Sequence, residues 1–313
     1  MDALGANPDK ISVSEICIIS DGKPGHLNQS RGLAEALRRR RPGIGVRECS
    51  PLDRIGALRT WLSGQLSPGV LDGAPDAPPA LLVGAGHATH ATLLALKRAW
   101  RRPAVVLMKP SLPLGCFDLC LMPQHDNPPE RDNVIATRGA LNLMQPGRKQ
   151  ADLGLILIGG PSRHSGWDES ALLTQLERIL ASGDRRWRMT SSRRTPASTE
   201  RLLAALPGVD FVPASATGRD WLPAQLAAAE TCWVTEDSVS MVYEALSAGC
   251  GVGILSVPQN RDNRLQRGLQ QLAEKGLVTA FADWRGDALA PPATGFDEAG
   301  RCAELILARG WLD

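Results

Sequence analysis

Residues Trp233–Leu255, WVTEDSVSMVYEALSAGCGVGIL, decide the fold. The stretch opens as an apolar run of strand length and breaks at Glu236-Asp237-Ser238. It continues with apolar residues at helical spacing, stops at Gly249 and ends in a second apolar run. A strand, a helix and a strand joined by short turns form one crossover of a parallel sheet, and strands apolar along their whole length require that sheet to be covered on both faces. Asp237 or Ser238 is expected to cap the helix. Glu244 needs another explanation, because it falls in the second helical turn, on the same face as Ser240 by i,i+4 spacing. A carboxylate there can accept two hydrogen bonds from a vicinal diol, and ribose has one.

Outward from this unit the same alternation runs along the chain. ISVSEICIIS is followed by a helical pattern around Gln29 to Arg40, ALLVGAG by one around Ala88 to Trp100, and AVVLMKP by a turn and FDLCLMP. After MQPGRKQ the pattern restarts with LGLILIGG, a helix near Ser170 to Ala181, RWRMTSS, a helix near Ser198 to Leu206, VDFVP and a helix near Pro223 to Glu230. The expectation is an α/β protein of two Rossmann-like, doubly wound parallel-sheet domains facing a cleft, spanning 1–147 and 148–313. The last helix, about Asp297 to Arg309, could pack on either domain. The Pro- and Gly-rich stretches LSPGVLDGAPDAPPA and RGDALAPPATGF read as surface loops.

A chain of 313 residues that is 43% hydrophobic and 22% charged can build two cores, and a net charge of +2 argues against a general nucleic-acid binder. A small-molecule partner is expected instead. The seven cysteines form no CxxC pair and read as buried hydrophobes in a reducing compartment. The N-terminus lacks the basic flank and apolar run of a secretory signal, and no stretch approaches the roughly 20 apolar residues that span a bilayer, so a cytoplasmic location is expected.

Open parallel sheets bind ligands beyond the carboxyl ends of their strands, and the unusual residues of this chain fall there. All five histidines do so. SDGKPGHLNQS offers Asp21, Lys23, Gly25 and His26 at a strand-to-helix turn that is neither a Walker A loop nor a GxGxxG fingerprint. GAGHATH brings His87 and His90, with no acid or cysteine nearby to complete a metal site, and KPSLP and PQHDN add Lys109, Ser111 and His125. In the second half GGPSRHSGW presents Ser162 and Arg163, and TSSRRTP presents Ser192, Arg193 and Arg194. Hydroxyls, guanidinium forks and a helix N-terminus suit a diphosphate. VPQNRDNRLQRGL adds Asn260, Asn263, Arg264 and Arg267 with similar chemistry. The run Arg38 to Arg41 reads as the solvated end of a helix.

Glu236 and Glu244, with Ser238 and Ser240 between them on a strand-turn-helix-Gly-strand unit, resemble the donor site of GT-B glycosyltransferases. The resemblance implies that the start of the helix meets the diphosphate and the later glutamate holds ribose. GAGHATHATLLALKRAW, VVLMKPSLPLGCFDLCLMPQHD, TSSRRTP and TEDSVSMVYEALSAG together look like the bacterial branch of the mitochondrial-fission Elm family, a match that spans roughly residues 15 to 310. These resemblances imply a GT-B-like protein that binds a nucleoside-diphosphate sugar and transfers the sugar without a metal or other cofactor. His26 or His87 would be the base, and Asp21, Lys23, Gly25, His90, Lys109, Ser111 and His125 would line the acceptor side. Two alternatives stand beside it: a sugar-nucleotide 2-epimerase or hydrolase on the same fold, and a non-catalytic adaptor that binds a protein partner. A lipid-linked acceptor would bring peripheral membrane contact, for which PSLPLGCF is the loop to consider.

Overall fold

The computed structural model describes residues 14–260 and 264–313. The first half forms β1 (Glu15–Ile19), β2 (Gly45–Cys49), β3 (Leu81–Ala85), β4 (Ala104–Leu107), β5 (Leu119–Pro123) and β6 (Val134–Thr137), with helices α1 (Pro24–Arg40), α2 (Arg54–Ser63) and α3 (His90–Trp100). These strands make one sheet in the order β2-β1-β3-β4-β5-β6, parallel from β2 through β5. The second half forms β7 (Gln150–Leu157), β8 (Arg186–Thr190), β9 (Val209–Val212), β10 (Ala229–Thr235), β11 (Gly251–Leu255) and β12 (Thr279–Ala280). Its helices are α4 (Glu169–Leu180), α5 (Ala197–Ala204), α6 (Trp221–Ala228), α7 (Val239–Ser247), α8 (Arg264–Glu274) and α9 (Glu298–Leu307). The second sheet is parallel throughout, in the order β12-β11-β10-β7-β8-β9.

The quoted unit is therefore β10, α7 and β11. The strand order of each sheet reverses once, between β1 and β3 in the first and between β7 and β10 in the second. At such a switch point the connections leave on opposite faces and open a crevice at the strands' carboxyl ends. Both faces of the second sheet are covered, which is why its strands are apolar on both sides. Leu155, Cys232, Val234 and Val252 pack with Val242, Leu246 and Leu272 of α7 and α8 on one face. Ile156, Met189 and Trp233 pack with Leu172, Leu176 and Leu203 of α4 and α5 on the other. Trp233 is almost wholly buried, with the rings of Trp284 and Phe281 edge-on at 5.1 and 5.9 Å. All seven cysteines are free, six of them buried.

The chain divides into two units: one holds the residues up to Met122, Pro129–Ala136 and Ala299–Asp313, and the other holds Pro123–Pro128 and Thr137–Glu298. The segments 123–128 and 137–147 thus join the second unit, although the alternation alone places them in the first domain. The run Arg38–Arg41 is not simply solvated. Arg40 reaches Glu304 at 2.9 Å and Arg41 pairs with Asp313, while Ser14 Oγ donates to the Leu312 carbonyl at 2.9 Å. Arg301 and Arg309 donate to the carbonyls of Ala136 and Asp132. Each exposed pair contributes at most about 1 kcal/mol, but as a set they hold residues 299–313 in the first unit.

Candidate functional site

Both switch points carry the residues singled out in the sequence. In the first unit, β1 ends at Ile19 and the chain turns through Gly22, whose φ of 76° is open to glycine, into α1 with Pro24 in its first turn. Asp21 is almost buried. It accepts from the Lys23 amide at 3.2 Å, lies 3.0 and 3.1 Å from His26 Nδ1 through its two oxygens, and has Lys23 Nζ at 3.6 Å. Burial works to raise its carboxyl, but the Lys23 amide, the His26 ring and the nearby charges outweigh it and hold the group below the usual carboxylate range. The His26 ring rests on Gly86, at the end of β3, where a Cβ would fall 2.3 Å from Cε1. The glycine of GAGHATH thus admits this ring. Gly86→Ala, at a φ of 83°, is expected to lose about 1–3 kcal/mol in urea unfolding as the ring is displaced.

The neighbouring residues differ in role. His87 is exposed, whereas His90 is buried, with Nδ1 3.1 Å from Ser111 Oγ and Phe117 edge-on at 5.5 Å. Burial, reinforced by His87, pushes the His90 ring below its ordinary pKa, so it stays neutral. Lys109 is exposed beside Met108, whose φ of 70° is strained for a non-glycine residue. Strain of this kind at a strand end marks functional sites, and the sequence gives no sign of it. Gly25 lies in the exposed first turn of α1. His125 joins the second unit instead of the His26 cluster, lining a small cavity with Gln124, Arg138 and Tyr243.

In the second unit, three strand ends converge on one buried carboxylate. The side chain of Asp237, just after β10, is inaccessible, and its Oδ2 accepts from the Gly160 amide at 3.1 Å, from Arg194 Nη2 at 2.6 Å and from Ser238 Oγ at 3.0 Å. Arg194, after β8, also donates to the Gly160 carbonyl at 2.6 Å and to Ser238 Oγ at 3.1 Å. Gly159 fits because it has no Cβ: one would fall 2.1 Å from Asp237 Oδ2. The other oxygen, Oδ1, is buried without a partner among the described residues.

This corrects the expected cap, since Ser238 stands at the N-cap position of α7 without a side-chain cap bond. Three of the expected phosphate-binding hydroxyls are already engaged. Ser162 Oγ accepts from the amides of His164 and Ser165, Ser192 Oγ from the Arg194 amide, and Ser238 Oγ is tied to Asp237. Arg194 is committed to Asp237, leaving Arg163, against His164 at 2.8 Å, and the exposed Arg193 as the other two expected cations. Asn263 lies outside the described residues.

A cavity of about 190 Å³ opens here, lined by Ser162, His164, Arg194, Glu236, Asp237 and Val239 among others. Glu236 is held in place by the Val257 amide at 2.8 Å. The first amides of α7 have no acceptor within the helix and face the same end of the sheet. Ser240 is exposed in this first turn, and the Glu244 carboxylate one turn later accepts no hydrogen bond among the described residues. Burial alone pushes the Glu244 carboxyl up to about 7. Among the described residues no cluster of His, Cys, Asp or Glu could hold a metal ion, and no helix is long and apolar enough to cross a membrane.

Two Rossmann-like units, each with its polar cluster at the switch point, define a chain of the GT-B fold class. It belongs to the mitochondrial fission ELM1 family, whose model it matches over residues 24–310. No curated protein matches it. It is similar to a solved structure assigned as a UDP-N-acetylglucosamine 2-epimerase from Listeria monocytogenes, at 10% identity and a TM-score of 0.59 over 95% of each chain. It is also similar to the glycotransferase of kitacinnamycin, at 13% identity and a TM-score of 0.53, covering 96% of this chain and 99% of that one. At such identities the likeness is one of fold.

Proposed function

We propose that the second unit binds a nucleoside-diphosphate sugar at the β7/β10 switch point and that the protein transfers the sugar to an acceptor hydroxyl. The observation that carries this reading is the open N-terminus of α7 beside a polar cavity, with the unpartnered Glu244 one turn further along the same helix. The α7 amides and the Ser240 hydroxyl would face the diphosphate, and Arg163 and Arg193 would close on it. These donors matter most as the leaving diphosphate gains charge. Glu244 would accept both ribose hydroxyls.

In the first unit, the Asp21–His26 pair supplies the base. Asp21 fixes the ring through Nδ1, which leaves Nε2 to take the acceptor proton. His90, buried and bonded to Ser111, serves as a fixed polar contact and not as the base.

Thermal denaturation with ADP, GDP, UDP, CDP and dTDP in turn tests the reading. One of them is expected to raise the melting temperature, in line with about 2.7 kcal/mol at 100 times its dissociation constant. No shift with any nucleotide would overturn the proposal and favour the adaptor reading. Conversion of the sugar nucleotide to its C2 epimer without an acceptor would retain the site but replace transfer with epimerisation.

A further inference from the structure

The helix α2 is amphipathic in the wrong sense for a helix packed on a sheet. Its buried positions are the small Ala57 and Thr60, while Ile55, Leu58, Trp61 and Leu62 are 59%, 56%, 44% and 62% exposed. Ile55, Leu58 and Leu62, at i, i+3 and i+7, lie on one outward face, and Val70 of the following loop is exposed as well. Exposing several large apolar side chains together costs solubility unless something covers them.

The charges around this face have one dominant sign. Arg54 and Arg59 are exposed on α2 itself, Arg98 of α3 lies over the Trp61 ring at 5.1 Å, and Arg101 and Arg102 are exposed just beyond α3. Of the nearby acids, Asp53 is used to cap the helix through the Gly56 amide. Asp72 and Asp76 act on Cys49 and Arg47 at β2. An exposed apolar stripe with a tryptophan and flanking arginines is the chemistry of a helix lying in a lipid interface, where leucines enter the acyl boundary and arginines meet anionic headgroups.

We infer that the outward face of α2 docks the protein on an anionic membrane surface. The loop PSLPLGCF offers less apolar surface, since Phe117 is buried in the core of the first unit, Leu114 packs against it and Leu112 alone of its large apolar side chains is exposed. The placement has a functional sense: Leu52, just before α2, donates its amide to Thr92 of α3, the helix that begins at His90. The docking face is thereby tied to the helix that carries His90. The inference is independent of the ligand of the second unit.

Flotation of the full chain with vesicles tests it, using pure phosphatidylcholine or an equimolar mixture with phosphatidylglycerol. The protein is expected to float with the anionic vesicles and to be released by salt. The double variant Leu58→Gln with Leu62→Gln, unchanged in charge, is expected to bind about 30-fold more weakly with an unaltered melting temperature. Arg59→Glu should lower binding about fivefold or more. Failure to float with either vesicle, or flotation that survives the double variant, would overturn the inference. So would a dimer in solution that the double variant dissociates without any vesicle binding, which would identify a second copy as the cover.

Discussion

Arg194→Ala is expected to lower the free energy of unfolding by about 3 kcal/mol, measured in urea. Arg194 is partly exposed, but its partner Asp237 is wholly buried, and a buried carboxylate that loses its counter-charge keeps its desolvation cost without the compensating attraction. The Gly160 amide and the Ser238 hydroxyl would remain, so the network weakens without vanishing. Asp237→Asn in the Arg194→Ala background should recover most of the loss, because it removes the stranded charge, and the double-mutant cycle should show coupling of about 2 kcal/mol or more. The competing role makes the opposite prediction. If the guanidinium binds ligand phosphate instead, Arg194→Ala would leave the urea midpoint unchanged and weaken nucleotide binding.

Glu244 links the proposed ligand to pH. Its folded pKa, about 7, lies above the ordinary 4.5, so the folded state prefers the protonated form. Stability from this group is complete below about pH 4.5, falls as pH rises toward 7 and is flat above that. The full difference is about 3 kcal/mol for a shift of this size, and Glu244→Gln should remove that share of the pH dependence between about pH 4.5 and 7. A ribose diol donates hydrogen bonds that favour the ionised carboxylate. Nucleotide affinity is therefore expected to rise with pH up to about 7, and binding below that pH should release a proton, seen in titration calorimetry as a heat that varies with the buffer. Glu244→Gln should weaken binding about 100-fold, the value of one or two hydrogen bonds to a charged group. Affinity that is independent of pH and insensitive to this substitution would remove Glu244 from the ligand's ribose.

Apolar strands alternating with helical periods make the two parallel sheets legible, because burial on both faces leaves a continuous hydrophobic signature. The edge strand β2, GVREC, escapes that reading. It alternates partly buried and exposed positions and carries two charges. α2 escapes for a related reason: its apolar residues face outward, so periodicity alone does not tell which side is covered. The polar residues at the strand ends are legible as a class, but their division of labour is not. Arg193 and Arg194 are adjacent, yet Arg194 meets an acid 43 positions away while Arg193 stays exposed. Only the convergence of β7, β8 and β10 brings Gly160, Arg194 and Asp237 together. Similarly, Arg40 and Arg41 find acids 264 and 272 positions away, which no local pattern announces.

That last set of contacts has a consequence for synthesis. The first unit is closed by residues 299–313, so it cannot be completed until those residues have been made. Residues 137–298 are all available before it, and the unit that comes later in the sequence is thus free to fold first, the reverse of the usual N-terminal-first order. Until residues 299–313 emerge, the first unit lacks α9 and the partners of Arg40 and Arg41, and its apolar surface stays incompletely covered.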